Sequence, residues 1–169
     1  MKGMIIIMID YVTVVGGGLA GSEVCYQLAK NGIKVKLYEQ KPNNFSPAHN
    51  KSELAEIVCS NSFKSNLHTN ACGLLKEELR ILGSLLINVA DNVAVPAGQA
   101  LAVDRDRFSK TVTGELEKMN NIEIVRKEVG YNCKIKLKEL IKNGIVVIAT
   151  GPLTSDELSK EIEEIIEED

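Results

Sequence analysis

The stretch Val12-Thr13-Val14-Val15-Gly16-Gly17-Gly18-Leu19-Ala20-Gly21-Ser22-Glu23 constrains this chain more than any other. A β-branched run breaks into glycine and then into a helical pattern, which puts Gly16, Gly18 and Gly21 in G-x-G-x-x-G spacing at a strand-to-helix turn. A tight turn out of a strand favours Gly16, close backbone approach to a diphosphate favours Gly18, and close helix packing favours Gly21. Gly17, Leu19 and Ala20 complete the loop. The free amides and positive end of the following helix then suit an anionic ligand.

The context supports a dinucleotide. The first helix runs to about Lys30, with Val24, Cys25 and Leu28 facing a sheet, and Asn31-Gly32 supplies its stop. Ile33 to Glu39 alternates as a second strand and ends in an acid about 23 positions after Gly16, where a carboxylate accepts from a ribose hydroxyl. Strand, loop, helix, strand and terminal Glu39 make a βαβ unit.

Farther on, 40–70 is a long polar segment, which inside a compact domain points to function. Helical periodicity returns at 73–91, with Leu75, Leu79, Leu82, Leu86 and Val89 on one stripe and Lys76, Glu77 and Arg80 off it. A turn at 95–98 and a short apolar run lead to a helix near 108–119, and Ile122 to Val125 reads as a strand. The stretch 133–140 reads as a hairpin or connector. Gly144 to Pro152 reads as a parallel strand buried on both faces, its Ala149-Thr150-Gly151 end letting backbone pass close to a cofactor. A helix then starts at Thr154 with a capping box to Glu157 and carries Leu158, Ile162 and Ile165 as a stripe with no evident partner.

Composition excludes several classes. With 44% hydrophobic and 25% charged residues and a net charge of −3, the chain is ordinary globular material with no basic signature of nucleic-acid binding. The four cysteines, Cys25, Cys59, Cys72 and Cys133, form no C-x-x-C pair and have no histidine at ligand spacing, so they read as reduced cytosolic thiols and no metal site is expected. Met1 to Ile9 is apolar, but Asp10 interrupts it and no cleavage site follows, so it reads as an N-terminal extension and strand lead-in over 1–11. No stretch approaches a membrane span. His49 and His68 read as structural or solvent-facing. Arg105, Arg107, Lys64, Lys76 and Arg80 are placed to touch phosphates, but scattered in an acidic chain they read as solvated charges.

The glycine loop, Pro47-Ala48-His49, Glu56-Ile57-Val58-Cys59-Ser60-Asn61-Ser62, Gly73-Leu74-Leu75-Lys76-Glu77-Glu78, Gly83-Ser84-Leu85, Val95-Pro96-Ala97-Gly98, Ala100-Leu101-Ala102-Val103-Asp104-Arg105-Asp106 and Ala149-Thr150-Gly151-Pro152-Leu153-Thr154-Ser155 together resemble the folate- and FAD-dependent tRNA (uracil-5-)-methyltransferases. The resemblance runs from Val12 to Ser155. It implies an α/β, Rossmann-like FAD-binding domain with a mostly parallel sheet of the glutathione-reductase type, partial over 12–153, followed by an acidic helix over 154–169 cut mid-domain. It further implies a bacterial cytoplasmic flavoprotein that forms 5-methyluridine in the T-loop of tRNA. The carbon comes from methylenetetrahydrofolate, and the reduction runs through FAD recharged by NADH or NADPH.

The resemblance also makes Cys59, in its Cys-Ser-Asn-Ser motif, the expected catalytic thiol, whether by attack on the base, proton abstraction or holding the methylene. The implied cofactor contacts are Gly16, Gly17, Gly18, Leu19, Ala20, Gly21, Glu39, Thr150 and Gly151. Members of that family are more than twice as long and carry a second catalytic cysteine, so two readings follow: part of a working enzyme completed by a separate chain, or a non-catalytic FAD-binding fragment. A related tRNA-modifying flavoprotein of the glucose-inhibited-division type shares the glycine loop; the Cys-Ser-Asn-Ser and Ala-Val-Asp-Arg-Asp stretches point away from it.

Overall fold

A computed structural model describes residues 11–167. The readings placed on 1–10 and on the last two residues lie outside the described residues.

A four-stranded parallel sheet carries the fold: β1 (Val12–Val15), β2 (Val35–Tyr38), β6 (Ile122–Val125) and β7 (Val146–Ile148), in the order β6-β2-β1-β7. Val12 registers with Val35, and Val35 with Ile122. The centre is apolar because β1 is buried at all four positions and so faces protein on both sides. On one face, Val14 and Leu37 pack with Cys25 of α1 (Leu19–Lys30), Val89 of α3 (Leu85–Asn92) and Phe108 and Val112 of α4 (Arg105–Glu117). On the other, Val15 and Tyr38 pack with Leu137 and Leu140 of α5 (Leu137–Lys142) and Leu158 of α6 (Asp156–Glu167). A smaller antiparallel sheet, β3 (Ser62–Ser65), β5 (Ala100–Val103) and β4 (Ala94–Val95), closes the first side.

Several elements differ from the sequence reading, each for a local reason. The periodic stretch 73–91 forms two helices, α2 (Ala71–Ile81) and α3, broken at Gly83 with its positive φ of 73°. The break is held from outside: the Glu23 carboxylate of α1 accepts from Leu85 N–H, Leu86 N–H and the Ser84 hydroxyl at 2.9–3.1 Å, an acid placed at the positive end of α3. The expected stripe splits with the helices: Leu86 and Val89 pack in the core, whereas Leu75 is 55% and Leu82 70% exposed, and Lys76 is buried with its ammonium donating to the carbonyls of Phe63 and Cys72. Burial pulls the Lys76 ammonium below its usual range.

Helix α4 begins at Arg105, ahead of the expected start, because Asp104 caps it by accepting the N–H groups of Asp106 and Arg107. Within 133–140 the chain makes a single parallel bridge, Val129 to Ile135, and then turns into α5. Strand β7 pairs with β1 alone among the described strands, and Ile148 is 43% exposed, so it is an edge and not a strand buried on both faces. The last helix is capped by Ser155, whose hydroxyl accepts from Leu158 N–H at 3.4 Å; Glu157 instead accepts from the backbone and side chain of Asn132. Its stripe of Leu158, Ile162 and Ile165 does have a partner, the apolar side of α5.

Candidate functional site

The glycine loop leaves β1 and enters α1 at the centre of the sheet's carboxyl edge, where α/β folds place ligands. Each glycine has its own steric reason. Gly16 has φ +100°, and a Cβ there would lie 2.8 Å from the Ala149 carbonyl oxygen at the end of β7. A Cβ on Gly21 would stand 1.8 Å from the Gly16 carbonyl oxygen, so α1 packs against its own loop only without a side chain there. A Cβ on Gly18 would meet no protein atom within 4 Å. The first helical bond runs from Ser22 N–H to the Gly18 carbonyl, leaving the amides of the first turn, Leu19, Ala20 and Gly21, without helical acceptors, and no acidic side chain occupies that turn.

Glu39 lies at the end of β2 and is 6% exposed. Its carboxylate accepts from Gly17 N–H at 2.7 Å and from Lys41 N–H at 2.9 Å, one bond to each oxygen. The amide of Gly17 therefore organises the loop and is not presented to a ligand. Each Glu39 oxygen keeps a lone pair for a hydroxyl.

These residues line a cavity of about 530 Å³. Of the residues expected at a cofactor, Gly16, Gly17, Gly18, Leu19, Ala20, Glu39, Thr150 and Gly151 line it, whereas Gly21 lies behind it. Thr150 and Gly151 form a turn after β7 in which the Thr150 and Thr154 hydroxyls meet at 2.6 Å and Thr154 donates to the Gly151 carbonyl. Free amides on its floor and open space where Gly18 lacks a side chain suit the cavity to the phosphates of a dinucleotide.

Cys59 is exposed and does not line this cavity, although its neighbour Val58 does. Its loop is anchored two residues on: Val103 N–H donates to the Asn61 carbonyl and the Asn61 amide donates to the Val103 carbonyl. Among the other thiols, Cys25 is buried, and burial pushes it up to about 12.

Sequence reasoning missed part of the wall. Lys41, Ser46, His49 and Glu56 line the cavity from the polar segment, and Lys127 to Val129 line it beyond β6. Lys41 and Glu56 form an ion pair at 3.2 Å with side chains 6% and 7% exposed, and the Lys41 ammonium also donates to the Glu53 carbonyl. Burial pushes the Glu56 carboxyl up, but the amide of Asn50, the Lys41 ammonium and the amide of Lys51 outweigh it and hold the group below its usual range. Nothing in the spacing of 40–58 announces this wall, since its contacts run across a non-periodic loop. The segment is tied to the glycine loop by Ala55 N–H donating to the Gly17 carbonyl at 2.8 Å and by Leu54 lying over Gly17.

No helix among the described residues is long and apolar enough to cross a membrane. Among curated proteins, the methylenetetrahydrofolate-tRNA-(uracil-5-)-methyltransferase TrmFO of Acetivibrio thermocellus is 53% identical over 95% of this chain and 35% of its own length. The protein of the same name from Fusobacterium nucleatum is 58% identical over 94% of this chain and 35% of its own length. The chain thus spans about a third of the length of the curated relatives it matches. A solved structure of Aquifex aeolicus GidA superposes with a TM-score of 0.55 at 18% identity, covering 73% of this chain and 21% of that one, a likeness of fold. The fold is a Rossmann-like α/β domain built on a parallel sheet. The family model described as glucose inhibited division protein A matches residues 11–167, and the chain belongs to that family.

Proposed function

We propose that this chain forms the FAD-holding part of an enzyme that makes 5-methyluridine in the T-loop of tRNA, with methylenetetrahydrofolate as carbon donor and NADH or NADPH as reductant. The observation that carries the reading is the open space at Gly18, bounded by the free amides of α1 and the Glu39 carboxylate. The names of relatives 53% and 58% identical over this region support the choice of reaction.

In this reading the amides of Leu19 and Ala20 hold the diphosphate, Gly18 gives it room, Gly21 lets the helix pack close behind, and Glu39 accepts a ribose hydroxyl through the lone pairs that Gly17 and Lys41 leave free. Thr150 and Gly151 line the path of the rest of the cofactor. When bound, FAD supplies the hydride that takes a methylene to a methyl. Uracil C5 becomes nucleophilic once electron density is pushed into the ring, and a thiolate does this by adding at C6. Cys59 is the thiol for that work, for removal of the C5 proton, or for holding the methylene, and its exposed position lets a tRNA loop reach it.

A second reading rests on Cys59 standing outside the cavity: the chain binds FAD but does not itself transfer methyl groups. One experiment separates the two. The purified chain is titrated with FAD and then assayed with methylenetetrahydrofolate, NADPH and unmodified tRNA. One bound FAD per chain is expected. No flavin binding refutes the cofactor reading, and methyl transfer by this chain alone refutes the second reading.

A further inference from the structure

The turn from Ser46 to Lys51 is held in place by buried chemistry out of proportion to its exposed sequence. His49 N–H donates to the Ser46 carbonyl at 3.2 Å, Ala48 N–H donates to the Ser46 hydroxyl at 3.4 Å, and that hydroxyl meets His49 Nδ1 at 2.6 Å. Immediately beyond, the amides of Asn50 and Lys51 donate to the Glu56 carboxylate at 3.1 and 3.4 Å, and Glu56 is the buried partner of Lys41. A buried ion pair adds little net stability, because desolvation offsets the attraction. What this pair does is fix where the turn sits.

Ser46 and His49 face the same cavity as Gly18, Leu19 and Ala20. The Ser46 hydroxyl occupies Nδ1 of His49, and with Ser46 as the donor in that bond the imidazole carries its hydrogen on Nε2. That leaves one N–H donor on a rigid turn for a ligand in the cavity. Lys41 also lines the cavity, but its ammonium is engaged by Glu56 and the Glu53 carbonyl.

We propose that His49 is a ligand of the dinucleotide's diphosphate, donating from Nε2 to a phosphate oxygen of the group that the first-turn amides of α1 also hold, with Ser46 and the Lys41–Glu56 pair as positioning residues. This rests on the FAD reading of the cavity. A donor to an anionic oxygen contributes more than one to a neutral group, which is why the diphosphate and not the nucleoside is the partner.

The test uses the purified chain, with FAD, ADP and adenosine as three probes in calorimetric titrations and a thermal melt of each variant without ligand. His49→Ala weakens FAD and ADP by roughly 10- to 100-fold and leaves adenosine unchanged. His49→Gln, whose amide reaches the position of Nε2, recovers most of the loss, and Ser46→Ala falls between. Unchanged FAD and ADP affinity in His49→Ala, or an equal loss for adenosine, overturns the proposal. A wild-type chain that binds none of the probes refutes the cofactor reading and this one with it, whereas a wild-type chain that binds FAD with His49 indifferent refutes this one alone.

Discussion

Replacing Gly18 by Ala separates a glycine kept for a ligand from one kept for the fold. The Gly18 backbone, at φ −71° and ψ −164°, is open to any L-residue, and the new methyl would touch no protein atom. Losing glycine at a helix N-cap costs up to about 1 kcal/mol. Restricting the unfolded chain returns roughly 0.4–1 kcal/mol. The two nearly cancel, so the melting temperature moves by no more than about 2–4 °C. The same methyl stands where the diphosphate must come, and FAD affinity falls by about tenfold or more, roughly 1.4 kcal/mol or above. Gly21→Ala is the opposite case. Its Cβ would lie 1.8 Å from the Gly16 carbonyl oxygen, so α1 must move off β1, and overpacking of this kind costs about 1–3 kcal/mol or more. Its melting temperature falls by several degrees before any ligand is added. Far-UV circular dichroism melts without FAD and flavin-fluorescence titrations on the same samples read both effects. A Gly18→Ala chain that binds FAD like wild type refutes the reasoning, and so does one that melts as low as Gly21→Ala.

Three further outcomes are expected. Glu39→Ala strands the buried amides of Gly17 and Lys41, costs about 2–6 kcal/mol at roughly 1–3 per lost partner, and abolishes FAD binding; denaturant unfolding and flavin titration check it. Glu23→Ala uncaps α3 and lowers stability by about 1–3 kcal/mol while leaving FAD affinity within about twofold, since Glu23 lies outside the cavity lining. In native alkylation followed by mass spectrometry, Cys59 reacts first and Cys25 last, because Cys59 is exposed while burial holds Cys25 protonated up to about 12. The sign for stability follows from the same group: the folded chain keeps a proton that the unfolded chain releases near pH 9, so Cys25 contributes stability below that pH and the contribution fades as pH rises from about 9 to 12.

Local pattern carried the reading wherever a residue's role was set by its near neighbours. The strand-loop-helix at 12–30, the second strand ending at Glu39 and the strand at 122–125 were legible because strand alternation, helix period and glycine spacing are short-range signals. The pattern misled where a distant group decided the outcome. The run 73–91 is periodic enough for one helix, but Gly83 and the Glu23 carboxylate split it, and the Phe63 carbonyl of the neighbouring strand draws Lys76 inward. The tail's stripe looked unpartnered because its partner, α5, lies in a stretch with too few residues for a clear period.

By itself, then, the sequence determined the glycine-loop corner: Gly16, Gly18 and Gly21 act through backbone conformation and steric room and Glu39 through its place at the end of the second strand, properties that residue type and spacing encode directly. Only the tertiary structure decided how that corner is walled. Lys41, Glu56, Ser46 and His49 meet through a non-repeating loop whose position follows from burying one ion pair and from Ala55 bonding to the glycine loop. Such contacts have no period to read along the chain, because they depend on which groups a folded surface leaves to satisfy one another.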